Sequence, residues 1–171
     1  INSKEVKKNN LFVAIKGKNK NGHNYVNEAL KKGASHSIIS NKINKINKRK
    51  MIYVKDTNIF LEDLARLKRK NSDAKVIAVT GSSGKTTVKS ILGQLLSNYS
   101  KTYQSPKSFN NHYGVPLSLS NLEIDHGYGV FEIGMSKKGE IDNLSKIIKP
   151  DLAVITNIAE AHIENFKNIK G

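Results

Sequence analysis

A lysine and two threonines end a short run of small residues at Thr80-Gly-Ser-Ser-Gly-Lys-Thr-Thr87. Gly81 and Gly84 let the backbone turn tightly, so that several N–H groups can point at the oxygens of a polyphosphate. Lys85 supplies a positive charge for the β- and γ-phosphates, and the Thr86 hydroxyl is the expected ligand of the accompanying Mg²⁺. We interpret the segment as an ATP-binding loop. Its candidate nucleotide-binding residues are Gly81, Ser82, Ser83, Gly84, Lys85, Thr86 and Thr87, the last as support from the helix side.

The segments on either side are those that a phosphate-binding loop requires. A β-branched apolar run at 76–79 predicts a buried strand before the loop. After the loop, apolar residues recur at helical spacing, namely Val88, Ile91, Leu92, Leu95 and Leu96. The alternative is a glycine-rich strand-to-helix turn that carries a lysine by chance. The flanking periodicity favours nucleotide binding over that alternative.

Glu132 is a second residue of chemical interest, because it lies within the apolar run 128–134, where an unpaired carboxylate is costly to bury. A divalent cation at the carboxyl end of a parallel strand would compensate its charge, and ligands of doubly wound sheets collect at that edge. The alternative is an outward-facing or salt-bridged glutamate on an edge strand. The sequence therefore predicts a metal ligand at Glu132 and leaves the alternative open.

Three further polar residues follow predicted strands or precede a predicted helix. His162 comes after a predicted strand at 151–156, although a lone histidine is more often structural than a metal ligand. Asn110 and Asn111 precede the segment 114–116, where a loop enters a helix through proline. Their amides could either cap that helix or contact a ligand.

Strands and helices alternate along the chain. Strands are predicted at 11–15, 37–39, 51–54, 76–80, 102–104, 128–133 and 151–156, and helices at 25–32, 58–70, 86–98, 116–121 and 139–148. This alternation predicts an α/β fold with mostly parallel sheets covered by helices. The polar break at 71–73 predicts a boundary between an N-terminal domain, 1–73, and a phosphate-loop domain, 74–171.

Composition sets looser limits on function. The net charge of +15 over 171 residues raises nucleic acid as a partner, with a basic cluster at 42–50. The lysines are interleaved with asparagine and isoleucine, however, and aromatic residues are few, so the sequence predicts no nucleic acid partner. The absence of cysteine excludes disulfides and thiol chemistry. No apolar stretch approaches the ~18–20 residues of a membrane span, and no secretory signal is recognisable, so we expect a cytoplasmic protein.

The loop at 80–87 resembles the TGxNGKTT loop of the Mur ligases and of their folylpolyglutamate synthetase relatives, with Ser83 where asparagine is usual. Other segments resemble the same family in order and rough spacing, and together they cover nearly the whole chain. They are Leu11–Gly17, Asn21–His23, Lys107–Leu117, Phe131–Met135, Gly139–Ile141 and Asn157–His162.

The resemblance implies an ATP-dependent amide ligase of peptidoglycan precursor synthesis, most similar to the member that joins D-alanyl-D-alanine to UDP-N-acetylmuramoyl-tripeptide through an acyl phosphate. It implies that residues 1–73 recognise the UDP-linked substrate and that 74–171 bind ATP and Mg²⁺. Lys85, Glu132 and His162 would be catalytic, with Mg²⁺ held by Thr86, Glu132 and His162. Asn110 and Asn111 would contact nucleotide. Candidates for contact with substrate are Ser3, Asn21, Gly22, His23, Lys107 and Ser108.

In the family, a further essential lysine and a C-terminal domain follow the segment that resembles Asn157–His162. We therefore expect this chain to be an internal piece of a longer, monomeric ligase that binds nucleotide but does not complete catalysis alone. Two alternatives stay open at this point. One is another ligase of the superfamily, acting on a different muramoyl peptide or on folate. The other is a nonenzymatic nucleotide- or nucleic-acid-binding module, whose affinity for oligonucleotides would depend strongly on salt.

Overall fold

The computed structural model describes residues 1–17, 19–43 and 47–159. The chain divides into two compact units, Ile1–Leu61 and Glu62–Gly171, and each contains one parallel sheet. This confirms the α/β fold with mostly parallel sheets that the alternating pattern predicts. The division falls inside a helix, whereas the domain boundary after residue 73 stays a prediction. Among the described residues, no helix combines the length and the apolar character that crossing a membrane requires.

The first unit is built on three parallel strands in the order β1-β2-β3. The strands are β1 (Leu11–Val13), β2 (His36–Ile39) and β3 (Met51–Tyr53), and the helices are α1 (Val26–Lys31) and the start of α2 (Thr57–Lys70). Short 3₁₀ helices occupy Ser3–Glu5, Gly22–Tyr25 and Lys48–Lys50. Residues that alternate along the strands pack against α1, and the buried set is Phe12, Ala14, Val26, Ala29, Ala34, Ile39 and Met51.

The second unit is built on four parallel strands in the order β5-β6-β4-β7. The strands are β4 (Lys75–Thr80), β5 (Thr102–Gln104), β6 (Tyr128–Glu132) and β7 (Leu152–Ile155). The helices are α3 (Lys85–Ser97), α4 (Gly114–Ser120) and α5 (Glu140–Ile148), together with most of α2. Helices α4 and α5 pack on one face of the sheet and α3 on the other. The sheet's central strands, β4 and β6, are thus covered on both sides, which explains their nearly continuous apolar sequence.

The buried face of α3 differs from the one that its apolar residues predict. Val88, Leu92 and Leu96 pack on the sheet as expected. Ile91 and Leu95, however, are 50% and 55% exposed. The helix is instead buried along the neighbouring row of Lys89 and Gly93. The reason is β5, which passes so close to the helix that a Cβ at Gly93 would lie 2.7 Å from Oε1 of Gln104.

Candidate nucleotide-binding site

The predicted phosphate-binding loop joins the carboxyl end of β4 to the first residue of α3. Gly81 has a φ of 132° and Gly84 a φ of 77°, which are conformations that L side chains rarely adopt. At Gly81 there is also no room, because an added Cβ would lie 2.2 Å from Oγ1 of Thr156. The loop therefore requires glycine at Gly81 and favours it at Gly84, and both glycines form the turn that the sequence predicts. It leads directly into the N-terminus of a 13-residue helix, where backbone N–H groups and the helix dipole favour an anion.

Lys85 folds back over this loop. Its Nζ donates to the carbonyl oxygens of Gly81, at 2.6 Å, and of Ser82, at 3.4 Å. The ammonium therefore lies beside the turn where the sequence places the phosphates. A cation on a flexible stem at this position can exchange the two carbonyls for phosphate oxygens without a change in the backbone.

The loop is held from its other side by residues 156–159, which follow β7. The Ser83 N–H donates to Oδ1 of Asn157 at 2.9 Å, and Nδ2 of Asn157 donates to the Ser83 hydroxyl at 2.9 Å. Thr156 donates from Oγ1 to the Ser83 carbonyl at 2.6 Å. Ser82 bonds both the Asn157 carbonyl and the backbone of Ala159. This role of Asn157 was not predicted from the sequence, where its signal is a position directly after the strand predicted at 151–156.

Glu132 lies at the carboxyl end of β6 and is only 1% exposed. Its Oε2 accepts a hydrogen bond from the Thr86 hydroxyl at 2.8 Å, and its Oε1 accepts one from Nδ2 of Asn110 at 2.7 Å. Its backbone N–H donates to the Ser105 hydroxyl at 3.1 Å. The structure thus brings together Thr86, Asn110 and Glu132, which are far apart in sequence. In the alternative, the outward-facing position on an edge strand is wrong, because the side chain is buried and β6 lies between β5 and β4. Its salt bridge, however, is present, as an ion pair with Lys89.

A second charged residue, Lys89, is buried beside Glu132 and was not among the candidates from the sequence. It is 2% exposed, and its Nζ lies 3.5 Å from Oε2 of Glu132. The same ammonium donates to the carbonyl oxygen of Lys107. Part of the charge compensation that the sequence assigns to a divalent cation therefore comes from a lysine of this chain. The signal in the sequence is its spacing, since a residue four positions after Lys85 lies on the same side of the helix.

The loop between β5 and α4 carries the remaining candidates of this unit. Asn111 accepts from the N–H groups of Tyr113 and Gly114 at 3.1 and 2.9 Å, so its side chain supports the start of α4. Ser108 differs, because its hydroxyl lies 3.3 Å from Oγ1 of Thr86. Lys107 has a φ of 50°, in the left-handed region, and its carbonyl oxygen accepts the hydrogen bond from Nζ of Lys89. Of the two asparagines, Asn110 contacts Glu132 and Asn111 caps α4.

The oxygen donors at this sheet edge fit a magnesium ion. The Thr86 hydroxyl and the Glu132 carboxylate lie within 2.8 Å of each other, and the Ser108 hydroxyl is adjacent. Hard oxygen ligands of this kind, completed by water and phosphate, are those that Mg²⁺ prefers. The third predicted ligand, His162, lies outside the described residues.

Another acidic cluster of the second unit is already paired with a lysine. Glu123, Asp125 and His126 lie close enough together to suggest a metal site. Lys101 takes the position of the cation, with its Nζ 2.6 Å from Glu123 and 2.8 Å from Asp125. Its hydrogen bonds to these carboxylates hold their pKa values below the usual range. Nδ1 of His126 accepts from the Glu123 N–H at 3.0 Å, so this nitrogen is also engaged.

The candidates in the first unit form hydrogen bonds inside that unit. The Ser40 N–H donates to Nε2 of His23 at 3.0 Å, so the imidazole proton is on Nδ1, which lies 2.8 Å from Oδ1 of Asn21. Burial lowers the pKa of His23. A Cβ at Gly22 would lie 2.7 Å from the backbone of Ile15, which explains this glycine by packing. Ser3 is buried and donates to Glu28 at 3.0 Å. Their contact with substrate stays a prediction.

Comparison with known protein families covers both units. The profile of the Mur ligase middle domain matches residues 79–171, and that of the catalytic domain of the Mur ligase family matches residues 1–69. The first match alone includes the whole phosphate-binding loop after Val79, together with Glu132 and the segment 156–159.

Comparison with individual proteins and solved structures also identifies relatives in the Mur ligase family. The chain is 43% identical to the UDP-N-acetylmuramoyl-tripeptide–D-alanyl-D-alanine ligase of Rickettsia prowazekii, over 99% of this chain and 38% of that protein. Among solved structures, MurF from Acinetobacter baumannii has a TM-score of 0.85 at 37% identity, over 99% of this chain and 37% of the other. MurF from Thermotoga maritima in complex with ADP has a TM-score of 0.81 at 41% identity, over 99% and 39%. The chain thus spans about two fifths of the length of these relatives.

Proposed function

The chain belongs to the Mur ligase family, and from this premise we propose that the intact gene product joins D-alanyl-D-alanine to UDP-N-acetylmuramoyl-tripeptide at the expense of ATP. The observation that supports this most directly is the phosphate-binding loop, whose Thr86 reaches the buried Glu132. The relatives with 37–43% identity over nearly the whole chain carry the substrate assignment. One of the similar structures is a complex with ADP, which supports ATP as the nucleotide.

The proposed reaction has two steps. The terminal carboxylate of the tripeptide attacks the γ-phosphorus of ATP, so that an acyl phosphate forms and ADP leaves. The amine of D-alanyl-D-alanine then attacks the acyl carbon, and the carbon–oxygen bond to phosphate breaks as the amide forms. Both steps require two anions, or an anion and an amine, to be held in line while negative charge accumulates between them. The protein's task is therefore alignment and charge neutralisation.

Lys85 and the loop carry the nucleotide part of that task. The backbone N–H groups after Gly81 and the N-terminus of α3 cradle the phosphates. Lys85 exchanges the carbonyls of Gly81 and Ser82 for oxygens of the β- and γ-phosphates and stabilises the charge that develops in the transition state. Asn157 holds Ser83 from outside, so that the loop keeps its shape when phosphate enters.

Thr86 and Glu132 form the metal part of the proposed site. When bound there, Mg²⁺ would neutralise charge on the phosphates and the attacking carboxylate. Asn110 orients Glu132 through its hydrogen bond to Oε1, which leaves Oε2 directed at Thr86. His162 is proposed as a further ligand on the family resemblance alone.

The first unit is proposed to recognise the UDP-linked substrate. The support is the match of residues 1–69 to the family's catalytic domain profile. In this proposal Asn21 and His23 act from inside, by fixing the segment between β1 and α1. Residues that touch the substrate would then lie around that segment.

The test is ADP release by the intact gene product, supplied with Mg²⁺-ATP and UDP-N-acetylmuramoyl-tripeptide, with and without D-alanyl-D-alanine. Release that requires both substrates, together with the mass of the joined product, is the expected result. Release with a different acceptor would keep the family's chemistry and overturn the substrate assignment. No ADP release with any of these acceptors would overturn the proposed activity.

A further inference from the structure

Lys89 is a buried lysine, which is rare in proteins. It lies one helical turn after Lys85 on α3 and is 2% exposed. Lysine is almost never fully buried unless it is paired, because removing an unpaired ammonium from water is strongly unfavourable. The contacts of its Nζ should therefore show what this residue does.

The Lys89 ammonium connects three segments of the second unit. From α3 it reaches Oε2 of Glu132 at the end of β6, at 3.5 Å, and the carbonyl of Lys107 after β5. Lys107 is one of the few residues other than glycine with a positive φ, 50°, a backbone conformation that needs support from its surroundings. The ammonium supplies that support and places a positive charge beside the buried carboxylate.

Lys85 and Lys89 differ in what they face, although they lie on the same side of the helix. Lys85 is partly buried and turns to the carbonyls of the phosphate-binding loop. Lys89 turns inward to Glu132. In a site for Mg²⁺ and a polyphosphate, Lys85 would pair with the phosphates of the nucleotide, whereas Lys89 pairs with the carboxylate of Glu132.

We propose that Lys89 is the resident counter-ion of Glu132, which holds the carboxylate in place before nucleotide binds and keeps the affinity of the site for Mg²⁺ alone low. This inference rests on the metal site of the proposed function. A divalent ion that approaches Glu132 meets a neutral ion pair and not a bare carboxylate, so most of its attraction must come from the phosphates. Mg²⁺ therefore enters together with the nucleotide.

The experiment is Lys89→Met in the intact gene product, because methionine has a similar length and no charge. The readouts are the melting temperature in EDTA and in Mg²⁺, and the Kd of Mg²⁺ without nucleotide by calorimetry. We expect a lower melting temperature in EDTA, since Glu132 is left buried without its cation. We also expect Mg²⁺ to raise the melting temperature of the variant more than that of the wild type. Without nucleotide, Mg²⁺ should bind the variant at least about tenfold more tightly.

Two further variants separate the role of counter-ion from simple packing. Lys89→Arg keeps the charge and should keep the weak Mg²⁺ binding of the wild type. Lys89→Met combined with Glu132→Gln removes both charges, and should be more stable in EDTA than Lys89→Met alone and show no stabilisation by Mg²⁺. If Lys89→Met loses the same stability with and without Mg²⁺ and binds the ion as the wild type does, Lys89 has only a packing role and the proposal is overturned.

Failure of the proposed function would look different. In that case the wild type would bind neither Mg²⁺-ATP nor Mg²⁺-ADP. The stability of Lys89→Met and of the double variant in EDTA would then still decide whether Lys89 is the counter-ion of Glu132: a more stable double variant supports the pairing, and equal or lower stability refutes it.

Discussion

The two parallel sheets of this chain use the carboxyl ends of their strands differently. In the first unit, Thr57 donates to the carbonyl of Ala14 just after β1, and His23 accepts from the N–H of Ser40 just after β2. These groups are neutral and satisfy one another. In the second unit, the same edge collects a glycine turn with left-handed backbone and the buried, oppositely charged pair of Lys89 and Glu132.

This comparison shows that buried polar groups can have two different roles, one in folding and one in binding. A neutral cluster whose atoms are all paired inside the chain fixes a loop and gains modest stability from each hydrogen bond. A buried ion pair contributes little to stability, since desolvation offsets much of the attraction, and its retention needs another reason. In the second unit, the proposed site for nucleotide and Mg²⁺ would supply that reason. In the first unit, by contrast, the hydrogen bonds of Thr57 and His23 are explained by folding, and any contact with substrate would come from residues around them.

The largest expected effect is the loss of turnover on substitution of Lys85. Lys85→Ala removes the ammonium beside the phosphate-binding loop and should lower turnover of the intact gene product about 10²-fold or more, as for loss of one electrostatic contact in a transition state. Lys75→Ala is the matched control, because this exposed lysine lies at the opposite end of β4 and should leave turnover unchanged. ADP release and circular dichroism would check both variants. Full activity of a folded Lys85→Ala protein would contradict the division between the two sheets.

Substitutions of the two loop glycines should have smaller effects, on stability and ADP binding, and these effects should differ between Gly81 and Gly84. Gly84→Ala adds a side chain in open space and should cost only the strain of its positive φ, about 1 kcal/mol. Gly81→Ala meets Thr156 as well, so it should destabilise the second unit by about 1–3 kcal/mol and weaken ADP binding more. Hydrogen exchange of residues 80–87 and calorimetry with ADP provide the measurements. Equal losses for the two variants would argue against the tight contact between the loop and residues 156–159.

The smallest effect concerns pH and the first unit. Because burial lowers the pKa of His23 in the folded state, the unfolded chain binds more protons as pH falls through 6.5, the ordinary pKa of histidine. Stability of the segment around His23 should therefore be full above that pH and decline below it. The measurement is hydrogen exchange of Ser40 and Asn41 between about pH 7.5 and 5, corrected for intrinsic rates.

Two variants complete this test. His23→Gln should lose the additional pH dependence, whereas His36→Ala should keep it, because His36 is exposed in the same unit. If His23→Gln retains the wild-type profile, then His23 is not the group that titrates. If a ligand, and not pH, controlled the hydrogen exchange of the Ser40 amide, this would indicate a ligand-binding site at the carboxyl edge of the first unit's sheet.

Local sequence patterns predict much of this fold. The strand at 102–104 has the predicted bounds, and α3 begins at Lys85, one residue before the prediction. The loop at 80–87, Thr86 and Glu132 are recoverable because glycine spacing and a carboxylate inside an apolar run are local signals. The capping alternative for Asn111 is also confirmed, since that role depends on residues two and three positions away.

The rest depends on partners that are distant in sequence. Helical spacing predicts Ile91 and Leu95 on the buried face, but the approach of β5 at Gly93 turns the helix toward Lys89 instead. A lysine is assigned to the surface unless its partner is known, and that partner, Glu132, belongs to another strand. The pairing of Ser83 with Asn157 follows only from the position of β7 beside β4.

That last pairing also sets when the site can form. Ser83 and Asn157 are separated by 74 positions, and β7 follows the other three described strands of this sheet in the chain. A nascent chain that ends after α5 can already pair β6 with both β4 and β5, yet its phosphate-binding loop lacks the groups that hold Ser82 and Ser83. Contacts so distant in sequence form late, because the intervening chain must be ordered first. During translation, the contacts that hold Ser82 and Ser83 can therefore form only after residue 159 has left the ribosome.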